Sequence, residues 1–210
     1  MAPDTQRRLG RAFFARKTAP VAVELLGCLI HVERNGEQLS GRIVETEAYL
    51  DSRDLASHAA WSRRGRETMK QEAGLVYMYR SYGIHAMFNI VAKEPDSAGA
   101  VLIRAFEPLD GIETMLTRRG VSDPRQIASG PGKLCQALGL SLDDHLVDLT
   151  TDQSIWIEDG SAPDTILNSV RIGITKSPEL PLRFFDGQSE HVSATRRGIV
   201  WEANETKSVP

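Results

Sequence analysis

The dipeptide Asn35-Gly36 constrains the fold of this chain more than any other short feature. Both residues readily adopt the left-handed backbone that a two-residue hairpin turn requires. The segments on either side, 28–33 and 39–49, are rich in apolar and β-branched residues, as strands are. The sequence therefore predicts an antiparallel hairpin whose second strand ends at Tyr49.

The rest of the chain alternates further strand-like segments with short helical ones. We predict strands over 75–82, 84–92, 100–106, 154–158, 169–175 and 182–186. Thr18 is expected to cap a helix that ends at Gly27, and further helices are expected from Glu107-Pro108 to about residue 119, after Asp123-Pro124, and over 133–138. These elements predict a single α+β domain on an antiparallel sheet over residues 1–197, with a flexible tail over 198–210.

Composition excludes several classes of protein. Hydrophobic residues make up 41% and charged residues 25% of the 210, which is typical of a globular protein in water. The chain shows neither a signal peptide nor an apolar run long enough to span a membrane, and its two cysteines lie in apolar segments. We therefore expect a cytoplasmic protein with reduced cysteines, associated with the nucleoid if the source is bacterial.

A net charge of −3 argues against a protein that coats nucleic acid over its whole surface. It leaves room for a local basic face, which Arg63, Arg64 and Arg66 could supply.

Glu45, Glu47 and Tyr49 share one face of a predicted strand, because side chains alternate along extended backbone. A carboxylate can activate a water molecule, and an aromatic ring beside it can hold a flat, electron-poor ring. A solvated acidic strand face is the alternative. The pattern suggests a site that grips a planar base and hydrolyses a bond attached to it.

Three tyrosines surround the predicted hairpin over 75–92. Tyr77 and Tyr79 share a face, so Tyr79 could cover the side of a base opposite Tyr49, although either ring could instead pack into the sheet. Tyr82 precedes Gly83 at the hairpin tip, where there is little core to enter. An aromatic residue at such a tip can wedge between stacked bases.

Histidine and carboxylate side chains raise the possibility of a metal site, formed by His58, His85, Glu45 and Glu47. Neither the helix-borne His-Glu-x-x-His spacing nor a Cys-x-x-Cys pair is present, so we expect no metal. His58 could equally be a structural or surface histidine.

Two polar residues lie within otherwise apolar predicted strands. Asn89 could hydrogen-bond to backbone or read a base edge at the floor of a pocket. Arg104, if buried opposite Glu47, would keep that carboxylate ionised.

The segment Ser129-Gly130-Pro131-Gly132-Lys133 has the composition of a phosphate-binding turn at the start of a helix. Its spacing does not fit a Walker A loop, and an ordinary helix-start turn is the alternative. In the functional interpretation, Ser129, Gly130 and Lys133 bind a DNA backbone phosphate.

A series of segments in chain order resembles the alkyladenine (3-methyladenine) DNA glycosylase family. The segments are Glu45-Thr46-Glu47-Ala48-Tyr49, Ala56-Ser57-His58, Tyr77-Met78-Tyr79, Tyr82-Gly83, Asn89, Arg104-Ala105-Phe106-Glu107-Pro108-Leu109, Ser129-Gly130-Pro131-Gly132-Lys133-Leu134-Cys135-Gln136-Ala137-Leu138, Val170-Arg171-Ile172-Gly173-Ile174 and Pro181-Leu182-Arg183-Phe184-Phe185. The resemblance runs from about residue 10 to residue 194. Residues 65–74 depart from the family pattern, because this loop is shorter and more acidic.

The resemblance implies a curved antiparallel sheet with a protruding hairpin, surrounded by helices, and a repair enzyme that flips a damaged purine out of duplex DNA. Glu47 would activate the water that attacks C1′, helped by Arg104 and a backbone carbonyl near Ile172.

The remaining roles implied by the resemblance concern the DNA. Tyr49, Tyr79 and His58 would form the base pocket, Asn89 would disfavour purines with a 2-amino group, and Tyr82 would be the intercalating wedge. The enzyme would act as a monomer on double-stranded DNA, without a cofactor, and would leave a free base and an abasic site.

Two other functions remain open on the sequence. A damaged-DNA binding module on the same fold would not need Glu47 or Arg104. A hydrolase of free nucleosides would not need Tyr82 at an exposed tip.

Overall fold

The computed structural model describes residues 7–193 and 197–201, which form one open antiparallel sheet flanked by helices. The strands are β1 (Leu29–Arg34), β2 (Glu37–Tyr49), β3 (Val76–Ser81), β4 (His85–Val91), β5 (Ala100–Asp110), β6 (Ile155–Glu158), β7 (Ile166–Ser169), β8 (Arg183–Asp186) and β9 (Ile199–Val200). The α-helices are α1 (Arg11–Phe14), α2 (Thr18–Glu24), α3 (His58–Trp61), α4 (Arg63–Met69), α5 (Ile112–Arg119) and α6 (Pro131–Leu138). The predicted α+β architecture is confirmed.

Strand β2 lies at the centre of the sheet. The main strand order is β3-β4-β5-β2-β8-β7-β9, and β1 also pairs with β2 and carries β6 on its other edge. The segment Glu45–Glu47 pairs with β5 on one side and with β8 on the other. Both carboxylates of the predicted site therefore lie on backbone that is hydrogen-bonded on both sides, which is the most rigid place that a sheet offers.

Two hairpins follow the predicted turn chemistry. Asn35 and Gly36 have φ values of 53° and 79°, as a type I′ turn requires, and they join β1 to β2. Tyr82 and Gly83 have φ values of 50° and 70° and join β3 to β4. Tyr82 is 86% exposed, so the aromatic tip expected from the sequence projects from the molecule.

The predicted helix start at Glu107-Pro108 is wrong. Strand β5 continues through these residues to Asp110, and α5 begins only at Ile112. Pro108 pairs with Gly41 next to a register irregularity, where a residue without a backbone N–H is tolerated in a sheet.

Two other helix predictions need correction. Thr18 is the first residue of α2 rather than its cap, and its hydroxyl donates instead to the carbonyl of Ala92 at 2.8 Å. The stretch after Asp123 is a single 3-10 turn, Pro124–Gln126, in which the Asp123 side chain accepts the backbone N–H of Arg125.

The strand predicted over 169–175 is also wrong, because β7 covers Ile166–Ser169 and residues 170–175 leave the sheet. The tail was predicted to begin at residue 198, yet Ile199 and Val200 form β9 against β7, and the Trp201 ring packs edge-on against Phe184 at 5.0 Å. Residues 202–210 lie outside the described residues.

The main core lies between the sheet and the helices α2 and α6. It is mostly aliphatic, and both free cysteines, Cys28 and Cys135, are buried in it, in agreement with the sequence expectation. Within the described ranges no helix has the length and apolar character needed to cross a membrane.

Candidate active site

Glu47 is the centre of the candidate site and is completely buried. Its Oε2 accepts a hydrogen bond from the Tyr49 hydroxyl at 2.8 Å and lies 3.2 Å from Nη1 of Arg104. Its Oε1 accepts a hydrogen bond from the backbone N–H of Ile172 at 2.7 Å. The arrangement excludes the alternative of a solvated acidic strand face, and the Glu47–Tyr49 pairing expected from strand alternation is present.

Arg104 bridges the two buried glutamates. Its Nε donates to Oε1 of Glu45 at 2.9 Å, while Nη1 faces Glu47 and Nη2 donates to Oγ of Ser193 at 3.2 Å. Burial alone would lower the pKa of the Arg104 guanidinium, but the charges of Glu47 and Glu45 raise it overall. Arg104 therefore stays a cation, and it meets Glu47 as the sequence predicted.

Glu45 anchors this cation from the side away from Glu47. Its carboxylate also accepts hydrogen bonds from Nε of Arg183 at 2.7 Å and from the backbone N–H of Ser193 at 2.5 Å. Burial would raise the pKa of Glu45, but Arg104 and Arg183 outweigh it, so the pKa lies below its ordinary value. Two anions and two cations thus alternate in the protein interior, in the order Glu47, Arg104, Glu45, Arg183.

Tyr49 remains a neutral phenol that donates to Glu47. Burial and then the charge of Glu47 hold the pKa of Tyr49 well above its ordinary value. The guanidinium of Arg171 lies over the Tyr49 ring, 4.7 Å from its centroid. Arg171 itself is 4% exposed and forms a bidentate ion pair with Asp54.

A pocket of about 360 Å³ opens beside this cluster, within the size range of small-molecule sites. Arg104, Tyr49 and Ile172, the three residues that contact Glu47, all line it. The remaining lining combines aromatic, apolar and a few polar residues: Ala56, His58, Trp61, Met69, Tyr77, Tyr79, Ser81, Tyr82, Met87, Asn89, Ala100, Leu102, Pro131, Gly173 and Ile174. The structure thus brings all the predicted base-pocket residues together.

His58 is the first residue of α3, which begins there because the Ser57 hydroxyl accepts a hydrogen bond from the N–H of Ala59. The His58 ring lies 4.4 Å from the Tyr79 ring, and its Nδ1 is 2.5 Å from the hydroxyl of Tyr77. Burial lowers the pKa of His58 and raises that of Tyr77, so both groups are neutral at pH 7. The contact fits two tautomers of His58; in the one where Tyr77 donates to Nδ1, the imidazole proton lies on Nε2 and His58 has a free N–H to donate.

Asn89 is held rigidly in the pocket wall. Its side-chain N–H groups donate to the backbone carbonyls of Tyr77 at 3.1 Å and Met87 at 3.3 Å, and the residue is 3% exposed. The hydrogen bonding to backbone is therefore confirmed, and Asn89 also lines the pocket, while the reading of a base edge stays a prediction.

Of the remaining predicted residues, Tyr82 lines the pocket. It belongs to the lining despite its exposure, and Pro131 at the start of α6 belongs to it as well. Ser129, Gly130 and Lys133 are not in the lining; Lys133 donates to Oγ of Ser129 at 3.3 Å. Their role at a DNA phosphate stays a prediction.

The sequence reasoning missed several residues of the site. Trp61 is 58% exposed at the pocket mouth and packs edge-on against His58 at 4.7 Å. The N–H of Ile172 donates to Glu47, a contact that the sequence reasoning did not include, and the help expected from a backbone carbonyl near Ile172 stays a prediction. Arg171 could have been singled out because it is a charged residue within the apolar run Val170–Ile174, whereas no local sequence pattern indicated a role for Asp54.

Over the described ranges, no group of three or more histidine, cysteine, aspartate and glutamate side chains is arranged to hold a metal ion. The pocket lining supplies an arginine and neutral aromatic hydroxyl and imidazole groups. Glu47 is not in the lining itself and contacts three residues that are, Tyr49, Arg104 and Ile172.

Comparison with known proteins gives the family. The model of the methylpurine-DNA glycosylase (MPG) family matches residues 12–190, which is most of the chain. A protein of Chlorobaculum parvum is 46% identical over 197 residues, covering 91% of this chain and 93% of its own length. A protein of Methanoculleus marisnigri is 41% identical over 190 residues, covering 88% of this chain and 98% of its own length.

A third relative, from Rhodopseudomonas palustris, is 43% identical over 187 residues and covers 89% of this chain and 90% of its own length. All three carry the name "Putative 3-methyladenine DNA glycosylase". The matched region contains Glu47, Arg104 and every predicted pocket residue. The chain therefore belongs to the methylpurine-DNA glycosylase family.

Proposed function

We propose that this DNA glycosylase excises damaged purines, alkylated or deaminated, from duplex DNA with a water molecule activated by Glu47 as its only nucleophile. The water oxygen bonds to C1′ of the deoxyribose as the bond from C1′ to the base nitrogen breaks. The electron pair of that bond leaves with the base, and the proton of the water passes to Glu47. The products are a free base and an abasic site.

The hydrogen bonds of Glu47 are the observation that carries the proposal. A carboxylate has about four acceptor positions; Tyr49 and Ile172 donate hydrogen bonds to two of them, and Arg104 forms an ion pair with the same carboxylate. A remaining position can accept the O–H of the attacking water, and the fixed partners hold the carboxylate in one orientation. Such fixed polar groups act on developing charge without reorganising, which is a large source of rate enhancement.

Arg104 and Glu45 support the same role. A glutamate that pairs with one arginine alone would be a poorer base, because the cation stabilises its charged form. Here Arg104 is shared between Glu47 at 3.2 Å and Glu45 at 2.9 Å. Part of the charge of Arg104 is therefore neutralised by Glu45 rather than by Glu47.

The pocket suits a flat, aromatic ligand. Tyr49 and Tyr79 offer ring faces, and His58 offers an imidazole N–H. A cationic alkylated purine stacks well on such electron-rich rings, and it needs no protonation to leave. A neutral lesion such as hypoxanthine needs a proton donor at the leaving base, and the neutral donors of the pocket are the available groups.

Asn89 supports a filter against guanine. Its two hydrogen bonds to backbone carbonyls fix the amide in the pocket wall, so it cannot swing away from a bulky neighbour. We infer that a 2-amino group on a purine meets this fixed amide, which disfavours normal guanine.

The exposed Tyr82 supports extrusion of the base. A flipped nucleotide leaves a gap in the base stack that an aromatic residue can fill. Tyr82 stands at a hairpin tip and also borders the pocket, which is where a wedge must lie if it is to push a base into that pocket.

Water is favoured over an amine as the nucleophile. Glycosylases that also cut the strand form a Schiff base through an amine, and the described residues that line the pocket include no lysine. We therefore propose a monofunctional enzyme.

The test is release of hypoxanthine and of an alkylated purine from duplex oligonucleotides by the wild-type chain and by Glu47→Gln. We expect strand breaks only after alkali, no base release by Glu47→Gln, and retained binding of damaged DNA by that variant. Glu113→Gln, which removes an exposed carboxylate on α5, is the matched control and should excise normally. Breaks without alkali would contradict water as the only nucleophile, and wild-type binding without release would favour a damaged-DNA binding module.

A further inference from the structure

Asp54 and Arg171 form a buried ion pair outside the pocket lining. Nη1 of Arg171 donates to Oδ2 of Asp54 at 2.6 Å, and Nη2 donates to Oδ1 at 2.8 Å. The side chain of Arg171 is 0% exposed and that of Asp54 is 1% exposed. Burying two charges costs free energy, and an apolar pair of similar volume is often as stable or more so. Such a pair therefore calls for an explanation other than stability.

The pair joins three parts of the chain that carry site residues. The Asp54 carboxylate accepts the backbone N–H groups of Leu50 and Ala56, both at 3.1 Å, and so closes the turn that leads from β2 to the cap of α3. Nη1 of Arg171 also donates to the carbonyl of Ala48 at 2.9 Å, at the end of β2. The strand with Glu47, the turn before His58 and the segment with Ile172 are thus tied at one point.

Arg171 also fixes the ring of Tyr49. Its guanidinium carbon lies 4.7 Å from the centroid of that ring. Tyr49 lines the pocket whereas Arg171 does not, so the guanidinium covers the ring face that turns away from the pocket. A planar base can then stack only on the opposite face of Tyr49.

The same arginine precedes Ile172, whose N–H donates to Glu47 at 2.7 Å. Holding the Arg171 side chain fixes the backbone on which this donor lies. Tyr49, the second donor to Glu47, is fixed through its ring. One ion pair therefore acts on two of the three groups that orient the carboxylate.

We propose that Asp54 and Arg171 are positioning residues that couple base stacking on Tyr49 to the orientation of Glu47. The inference rests on the proposed function, since it assigns to Tyr49 the stacked base and to Glu47 the attacking water. Neither residue touches the substrate; they act through Tyr49 and Ile172. The pair sets the geometry in which the stacked base and the activated water meet the same C1′ atom.

The test uses the double variant Asp54→Asn/Arg171→Met, which removes both charges at once and so avoids leaving one buried and unpaired. Thermal unfolding establishes that it is folded. We expect its single-turnover excision to fall by on the order of 100-fold, as for a misplacement of about 1 Å at a reacting group. Arg171→Lys, which keeps the charge but loses the planar fork, should restore part of the rate.

The second readout measures stacking of the base in a protein that does not excise it. Duplex DNA containing ethenoadenine, whose emission changes on stacking, is bound to Glu47→Gln alone and to Glu47→Gln combined with the double variant. We expect the emission change to be largely lost only in the combined variant. Arg42→Met removes a partly exposed arginine that pairs with Glu107 and Asp186 away from the pocket, and it should leave both readouts unchanged.

Normal excision and normal emission in the folded double variant would overturn the proposal, and so would slower excision with unchanged emission. If the double variant does not fold, Arg171→Lys decides by the same two readouts. Excision by Glu47→Gln itself would instead refute the proposed function, so the two failures are distinguishable.

Discussion

The backbone N–H of Ile172 donates a 2.7 Å hydrogen bond to Oε1 of Glu47, although 125 positions separate the two residues in the sequence. The hydroxyl of Tyr49 donates to the other oxygen at 2.8 Å. One donor is backbone and the other side chain, so the two can be separated by mutation. Both carboxylate oxygens of Glu47 therefore accept a hydrogen bond before any substrate binds.

Tyr49→Phe removes one of these donors and keeps the ring. We expect single-turnover base release to slow by about 10- to 100-fold, the equivalent of a hydrogen bond to a charged group, while stacking of the base persists. Tyr49→Ala should lose stacking as well. Rapid-quench measurement of excision, together with binding to lesion-containing duplex, checks both expectations; an unchanged rate for Tyr49→Phe would mean that Glu47 does not need this donor.

Glu45→Gln breaks the buried charge network. Arg104 and Arg183 would then both lose the carboxylate with which they pair, and we expect the free energy of unfolding to fall by about 3–5 kcal/mol. Urea denaturation measures it. Glu107→Gln is the control, because the half-exposed pair of Glu107 with Arg42 should contribute no more than about 1 kcal/mol. Equal losses for the two variants would show that burial does not distinguish the two pairs.

Tyr82→Ala removes the ring from the hairpin tip. We expect the rate of excision from duplex DNA to fall by about 5- to 100-fold, which corresponds to the loss of one base–aromatic stack. The rate on single-stranded substrates should fall less. Tyr82→Phe keeps the ring and should excise normally. The comparison uses one lesion in both contexts, and equal losses on both would argue against a wedge.

The stability of the protein should fall as the pH drops below about 6.5. Burial lowers the pKa of His58 and His145 from the ordinary 6.5, so the unfolded chain binds these protons at a higher pH than the folded one. Their contribution is complete above that value and is lost progressively below it. Glu45, whose lowered pKa starts from an ordinary 4.5, acts in the same direction only at more acidic pH.

Melting temperatures between pH 7.5 and pH 5 at constant ionic strength check this expectation. His58→Gln should reduce the slope, because glutamine does not titrate. A melting temperature that rises on acidification would show that the histidines gain partners on protonation.

The central part of the site could be predicted from local sequence. Strand alternation placed Glu47 beside Tyr49, Asn35-Gly36 predicted the hairpin that leads into β2, and Tyr82-Gly83 predicted an exposed aromatic tip. These features depend on residues close together in the chain, where backbone geometry alone relates the side chains.

Elements whose residues have mixed preferences were harder to predict. Pro108 suggested a helix start, but the pairing of β5 with β2 extends the strand past it. The apolar run after Ser169 suggested a strand, but the segment leaves the sheet and its Ile172 N–H bonds to a side chain instead. In both cases tertiary pairing outweighed local preference.

The sequence by itself therefore determined which residues could do the chemistry, and only the tertiary structure decided how they are held. The ion pair of Asp54 with Arg171, the sharing of Arg104 between Glu45 and Glu47, and the contact of Ile172 with Glu47 all join distant segments. Such contacts cannot be predicted from the hydrophobic periodicity of the sequence, because each depends on a single residue and not on a residue type that recurs at a fixed spacing. The first and last of them form only when the segment over 170–174 has packed against the sheet, and the sharing of Arg104 requires the pairing of β2 with β5.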